Sequence, residues 1–187
     1  RIRARLSHIP DEADGVVDIR GGSGVGRVTQ PGLPVAVGEP AINPEPRRQI
    51  REAVREAMLE AGFRGAVRVV LEVDRGRELA AKTMNPRLGI VDGVSVLGTR
   101  GTVVPYSKES YRETIRMGLD VAGSRGLAEV ALSTGGRSER LLSAHLPQLP
   151  KHGYVQIADF FAFSLEEAAA RNFRTIYLSV FFGKLVK

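Results

Sequence analysis

Between Ser107 and Val180 one rhythm constrains this chain most: apolar runs alternate with helical patterns at steps of roughly 25 residues, the spacing of βαβ units. Ser107 opens a helical pattern carrying Tyr111, Ile115, Leu119 and Ala122. Glu129 to Leu132 reads as a short apolar strand, followed by Ser133-Thr134-Gly135-Gly136. A helix through Leu141 and Leu142 ends near Pro147, and Tyr154 to Ala158 makes the next strand, closed by Asp159. Ser164 with Glu167 three residues later reads as a capping box opening a helix over Leu165 to Arg171. Thr175 to Val180 is a third strand, before Gly183-Lys184. This order implies a parallel sheet with right-handed crossovers.

The preceding half has another pattern. Ile2, Ala4 and Leu6 alternate with charge like a strand in progress, and Val16 to Ile19 forms a second short strand. Pro31, Gly32, Pro34 and Pro40 forbid a regular helix. Asn43-Pro44 then starts one, since Asn can cap and Pro suits the first helical position. Ile50, Val54, Ala57, Met58 and Ala61 follow at helical spacing until Gly62, and Val67, Val69, Leu71 and Val73 alternate as a strand before the turn Asp74-Arg75-Gly76. The fold class is therefore α/β and α+β, with a boundary near Pro105. The expectation is a β-rich N-terminal half over 1–104, taken to be ribosomal protein S5 domain 2-like, before a Rossmann-like parallel βαβ half over 105–187.

Composition narrows the chemistry. The absence of cysteine removes disulfides, thiolate nucleophiles, iron–sulfur clusters and Cys-based zinc sites, and it suits a reducing, cytoplasmic setting. A net charge of +6 admits nucleic acid, an anionic membrane or a polyanionic small molecule. The arginines are scattered and aromatics are only 6%, so few platforms exist for stacking bases. The longest apolar runs, such as Ile176 to Phe182, are too short to span a bilayer. Neither nucleic acid nor membrane is the expected partner, whereas a homo-oligomer stays open. No signal peptide is visible, and the first residue is Arg1 rather than Met.

Several familiar motifs fail. Gly21 to Val28 reads GGSGVGRV, but a P-loop needs Lys and a hydroxyl residue where Arg27 and Val28 stand. A flexible β-turn is the better reading. No glycine fingerprint opens a helix, which weighs against a nicotinamide oxidoreductase. His8, His145 and His152 are placed on a loop, a helix end and a loop, without the spacing of a zinc site. No G-x-S-x-G elbow surrounds Ser95, Ser107 or Ser133.

What remains is a set of long glycine-, proline- and polar-rich segments, and long ordered loops usually carry function. GVGRVTQPGL, GEPAINPEPR, AAKTMNPRLGIVDGVSVLGTRGTVVPYS and the terminal GKLVK resemble the CbiD family, the cobalt-precorrin-5B C1-methyltransferases of anaerobic cobalamin biosynthesis. The resemblance runs from Arg1 to Lys187 in the family's order, with departures at Asp92, Arg100, Tyr106 and Gly135-Gly136. It implies the central part of a longer family chain. It also implies methyl transfer from S-adenosylmethionine to ring carbon C1 of cobalt-precorrin-5B, with cobalt belonging to the substrate and no protein-bound metal.

Such a substrate carries acetate and propionate carboxylates, which suit arginine's planar fork. Arg47, a cation in the first helical turn where the dipole opposes it, is the candidate clamp. Asn43, Lys82, Asn85, Arg87 and Thr99 complete the substrate-binding candidates, Asn43 being a helix cap first. Ligands of open parallel sheets sit beyond the carboxyl ends of the strands. Gly135, Gly136 and Asp159 are accordingly the candidates for S-adenosylmethionine, with Asp159 accepting the ribose hydroxyls. The catalytic residue stays unassigned. A noncatalytic RNA- or corrinoid-binding module is the competing reading.

Overall fold

The computed structural model describes residues 1–96 and 107–186. Thr99, Arg100, Pro105 and Tyr106 lie outside the described residues. The described residues fall into two compact units, one holding 1–30 and 34–96, the other 31–33 and 107–186.

In the first unit, β1 (Ile2–Ile9), β2 (Val17–Gly21) and β4 (Ala66–Val73) form a sheet of order β1-β4-β2, β1 antiparallel and β2 parallel to the central strand. The helix α1 (Pro44–Glu60) packs Val54 and Met58 on Val17, Ile19, Val67, Val69 and Leu71. Its start follows the sequence logic, with Pro44 at the first helical position. Its chain direction changes at Gly62, whose φ is +61°. His8 lies inside β1, edge-to-face with Phe63, rather than in the expected loop. Ile2 and Leu6 stay exposed, since no β1 side chain belongs to the core that α1 covers.

The short strands β3 (Arg27–Val28) and β5 (Ile90–Val91) pair antiparallel, with α2 (Gly76–Ala80) between them in sequence. Here the expected flexible turn at Gly21–Val28 is corrected. The chain at Gly24, with φ +76°, crosses Gly76 and Gly93 backbone to backbone. A methyl group on either of those two glycines would overlap the Gly24 carbonyl, and one on Gly24 would overlap the Val73 carbonyl oxygen. Val73 N–H donates to Ser23 O (2.8 Å) and Val94 N–H to Gly24 O (3.0 Å). Glycine is needed for close approach rather than looseness.

The second unit is built on β6 (Glu129–Ser133), with β7 (Tyr154–Gln156) and β8 (Thr175–Ser179) parallel on either side. The chain therefore has the expected mixed α/β class with a parallel sheet. The helices α3 (Lys108–Ser124) and α5 (Phe161–Ala170) cover one face through Ile115, Leu119, Val130, Leu132, Val155 and Ala168. On the other face Leu142 of α4 (Gly136–His145) packs with Ala131, Leu149 and Tyr154. The expected capping box is corrected. α5 starts at Phe161, and Ser164 Oγ donates to the Phe160 carbonyl (2.6 Å) from inside the first turn, leaving Glu167 for Arg171 and Arg116. The tripeptide 31–33 packs against α3, whose Ser124 Oγ donates to Pro31 O at 2.9 Å. A short α6 (Phe182–Leu185) follows β8. Among the described residues, no helix is long and apolar enough to cross a membrane.

Candidate functional site

The first candidate surface lies where the 34–39 loop meets the start of α1. Asn43 takes the N-cap position, but its side chain makes no capping hydrogen bond, which corrects the expected cap. Its backbone N–H donates to Val96 O at 3.0 Å, so the main chain is fixed, while among the described residues the amide side chain makes no hydrogen bond. Arg47 is bound into the framework. Its Nε donates to Ile42 O (2.9 Å), Nη2 to Pro40 O (3.3 Å) and Nη1 to Ile19 O (3.5 Å), and the Glu39 carboxylate stands 3.5 Å away. These carbonyls explain a cation in a first turn where the helix dipole disfavours one. A cavity of about 320 Å³ opens beside it, lined by Pro34, Val35, Ala36, Ile42 and Arg51.

The other substrate-binding candidates of this unit lie on the 82–95 segment. Asn85 is 5% exposed. Its Nδ2 donates to Gly93 O (3.1 Å), and its Oδ1 accepts from Ser95 Oγ (3.1 Å). It thus holds the loop that meets Gly24. Lys82 is exposed and Arg87 half-buried on the same segment. Thr99 lies outside the described residues.

The second surface is the carboxyl edge of the parallel sheet. The connections from β6 to β7 and from β7 to β8 place those strands on opposite sides of β6, which makes this edge a switch point. Gly135 caps α4 with nothing within 4 Å of the place a side chain would take, and the nearest atom to that place at Gly136 is Gln156 Nε2 at 3.8 Å. Ser138 Oγ closes the turn, accepting from Gly135 N–H (3.1 Å) and donating to Gly135 O (2.9 Å). Ser133, the last residue of β6, is fully buried, and its Oγ has no hydrogen-bond partner among the described residues. The register pairs Ser133 with Gln156, so Gly135 and Asp159 both lie past the same edge.

Asp159 is held by Lys184, whose Nζ donates to both carboxylate oxygens at 2.7 and 2.8 Å. The pair borders a cavity of about 430 Å³ with Phe161, Leu178 and Leu185 on its walls. Tyr111 stacks on Phe160 at 5.5 Å. Burial, and secondarily the Asp159 charge, pushes its hydroxyl pKa up. Arg112 lies over the rings of Phe160 and Phe163 at 5.6 and 5.3 Å. Periodicity assigned Tyr111 to the α3 core stripe, so its place beside Asp159 went unread. Lys184 was missed because its partner is distant in sequence. Arg51 carried one legible signal, its position four residues from Arg47. Among the described residues no group of three or more His, Cys, Asp or Glu side chains is placed to hold a metal ion.

The CbiD family model matches residues 1–105. A cobalt-precorrin-5B C(1)-methyltransferase of Nitratidesulfovibrio vulgaris is 51% identical over 187 residues, covering 100% of this chain and 48% of its own. One of that name from Geobacillus kaustophilus is 47% identical over 171 residues, 91% of this chain and 46% of its own. The crystal structure of a cobalamin biosynthesis protein (cbiD) from Archaeoglobus fulgidus is 25% identical, with a TM-score of 0.42 over 98% of this chain and 54% of its own. The chain spans about half the length of the curated relatives it matches. With a family model matching more than half its residues and a 51% identical relative aligned along all of it, this chain belongs to the CbiD family.

Proposed function

We propose that this chain is part of an enzyme that methylates ring carbon C1 of cobalt-precorrin-5B with S-adenosylmethionine, in the assembly of cobalamin. The observation that carries the reading is the 51% identity, along the whole chain, to a relative bearing that enzyme's name. S-adenosylmethionine, when bound, supplies an activated methyl group on a sulfonium. The residues of this chain then have to bind, align and exclude water. Such an enzyme of biosynthesis belongs in the cytoplasm.

In this reading 1–104 is the substrate domain, of the ribosomal protein S5 domain 2-like type, and 105–187 a Rossmann-like cofactor domain. Asn43 offers its spare amide to the corrin's side arms, and Lys82 and Arg87 offer positive charge to carboxylates. Arg47 and Asn85 fix the loops that carry those groups, and Thr99 belongs to the same set. The carboxyl edge of the parallel sheet fits the methyl donor. Gly135 leaves open space at its backbone, the cavity at Asp159 has apolar walls for an adenine, and the carboxylate can accept ribose hydroxyls. The decisive experiment follows labelled methyl from S-adenosylmethionine into the cobalt-precorrin with the whole protein. Label at C1 is expected, and no turnover with intact substrate overturns the proposal.

A further inference from the structure

We infer that Arg51 binds a carboxylate arm of the substrate and discriminates it from an amide, with Arg47 positioning the loop opposite; this rests on the corrin reading above. Arg47, Arg51, Val54 and Met58 follow one another at intervals of four, three and four, which places them on one stripe of α1. Val54 and Met58 are each 9% exposed and face the core. Arg51 is thus on the inward stripe, half-buried, where an apolar residue would serve packing better.

The neighbouring arginines have visible occupations. Arg48 is caught between Glu45 and Glu52, each at 2.6 Å. Arg47 spends its guanidinium on the carbonyls of Ile42, Pro40 and Ile19. Arg51 has no ion pair or hydrogen bond among the described residues, and it lines the cavity of about 320 Å³. Among the described residues the other walls are Pro34, Val35, Ala36, Ile42 and Pro44, with Glu39 the one carboxylate, turned to Arg47 at 3.5 Å. Two guanidiniums against one carboxylate leave the pocket net positive, and its apolar walls strengthen any charge pairing inside it. The space is too small for a corrin ring but takes one acetate or propionate arm. Arginine's fork matches a carboxylate in two parallel hydrogen bonds, which a neutral amide cannot reproduce.

The test titrates the whole protein calorimetrically with two cobalt corrins sharing one ring, one with free carboxylate arms and one with those arms amidated. The unsubstituted protein is expected to prefer the acid form. Arg51→Gln should weaken binding of the acid form about ten- to hundredfold and leave the amidated form unchanged, which collapses the preference. Arg51→Lys keeps the charge without the fork and should recover part of it. An undiminished preference in folded Arg51→Gln overturns the inference and leaves the corrin reading standing. Failure of the unsubstituted protein to bind either corrin overturns both. Should Arg51→Gln unfold, Arg51→Lys decides, and the full original preference there counts against the forked contact.

Discussion

Lys184 meets both carboxylate oxygens of Asp159 at once, so the residue placed by sequence at a ligand edge already has a cationic partner inside its own unit. The pair is half-exposed, 41% and 56% for the two side chains, and contributes under about 1 kcal/mol to folding. A pair this weak can be exchanged for a ligand.

Asp159→Ala is therefore expected to leave thermal stability nearly unchanged while weakening S-adenosylmethionine about ten- to hundredfold, the worth of one or two charged hydrogen bonds. Asp159→Asn should lose less, because its amide oxygen still accepts. Lys184→Ala releases the carboxylate, and affinity should hold or improve. Calorimetric titration, with thermal unfolding as control, checks all three. Undiminished affinity in folded Asp159→Ala would make the residue a turn partner of Lys184 and nothing more.

Arg47→Ala removes the donor to three backbone carbonyls, two of them in the segment leading into α1. Stability should fall by about 1–3 kcal/mol, because Ile42 O loses the Arg47 donor while Pro40 O keeps the Ile42 N–H at 2.7 Å. Corrinoid binding should weaken because the 34–42 segment is displaced, and S-adenosylmethionine affinity should persist. Urea unfolding and paired titrations separate the two effects. A variant as stable as its parent would show that these contacts do not hold the loop.

Gly93→Ala places a methyl group against the Gly24 carbonyl at the backbone crossing. Neither chain can yield, since both are tied through Val94 N–H to Gly24 O at 3.0 Å. A loss of about 3 kcal/mol or more is expected by chemical denaturation. Gly38→Ala is the contrast. Gly38 also has positive φ, +91°, but open space around it, so only the backbone cost of about 1–2 kcal/mol applies. Equal losses at the two positions would refute the packed crossing.

Glu167 accepts from Arg171 (2.6 Å) and Arg116 (3.0 Å), and these bonds, Arg171 first, hold its carboxyl below the ordinary 4.5. The unfolded chain takes up this proton more readily, so the contribution is complete above the ordinary value. It is lost as pH falls below that value and through the depressed one. Glu167→Gln should cost about 1–2 kcal/mol at neutral pH and flatten the acid limb of the stability curve. Urea midpoints at pH 7 and pH 3 test it, and an acid limb as steep as the parent's would place the sensitivity elsewhere.

The sequence by itself determined what depends on neighbours along the chain. Pro44 and the stripe Ile50, Val54 and Met58 specify α1, and alternation from Val67 to Val73 specifies β4, because period and capping are local properties. The parallel sheet was legible for the same reason, through strand–helix spacing, and the quoted loop strings carried the family. Only the tertiary structure decided what depends on distant partners. Arg47 became a tie for carbonyls from Ile19 to Ile42, Ser164 turned inward to Phe160, Lys184 closed on Asp159, and Gly24 met Gly76 and Gly93. A guanidinium, hydroxyl or glycine in a sequence is compatible with many partners. Which one it meets depends on the packing of distant segments, and no periodicity encodes that.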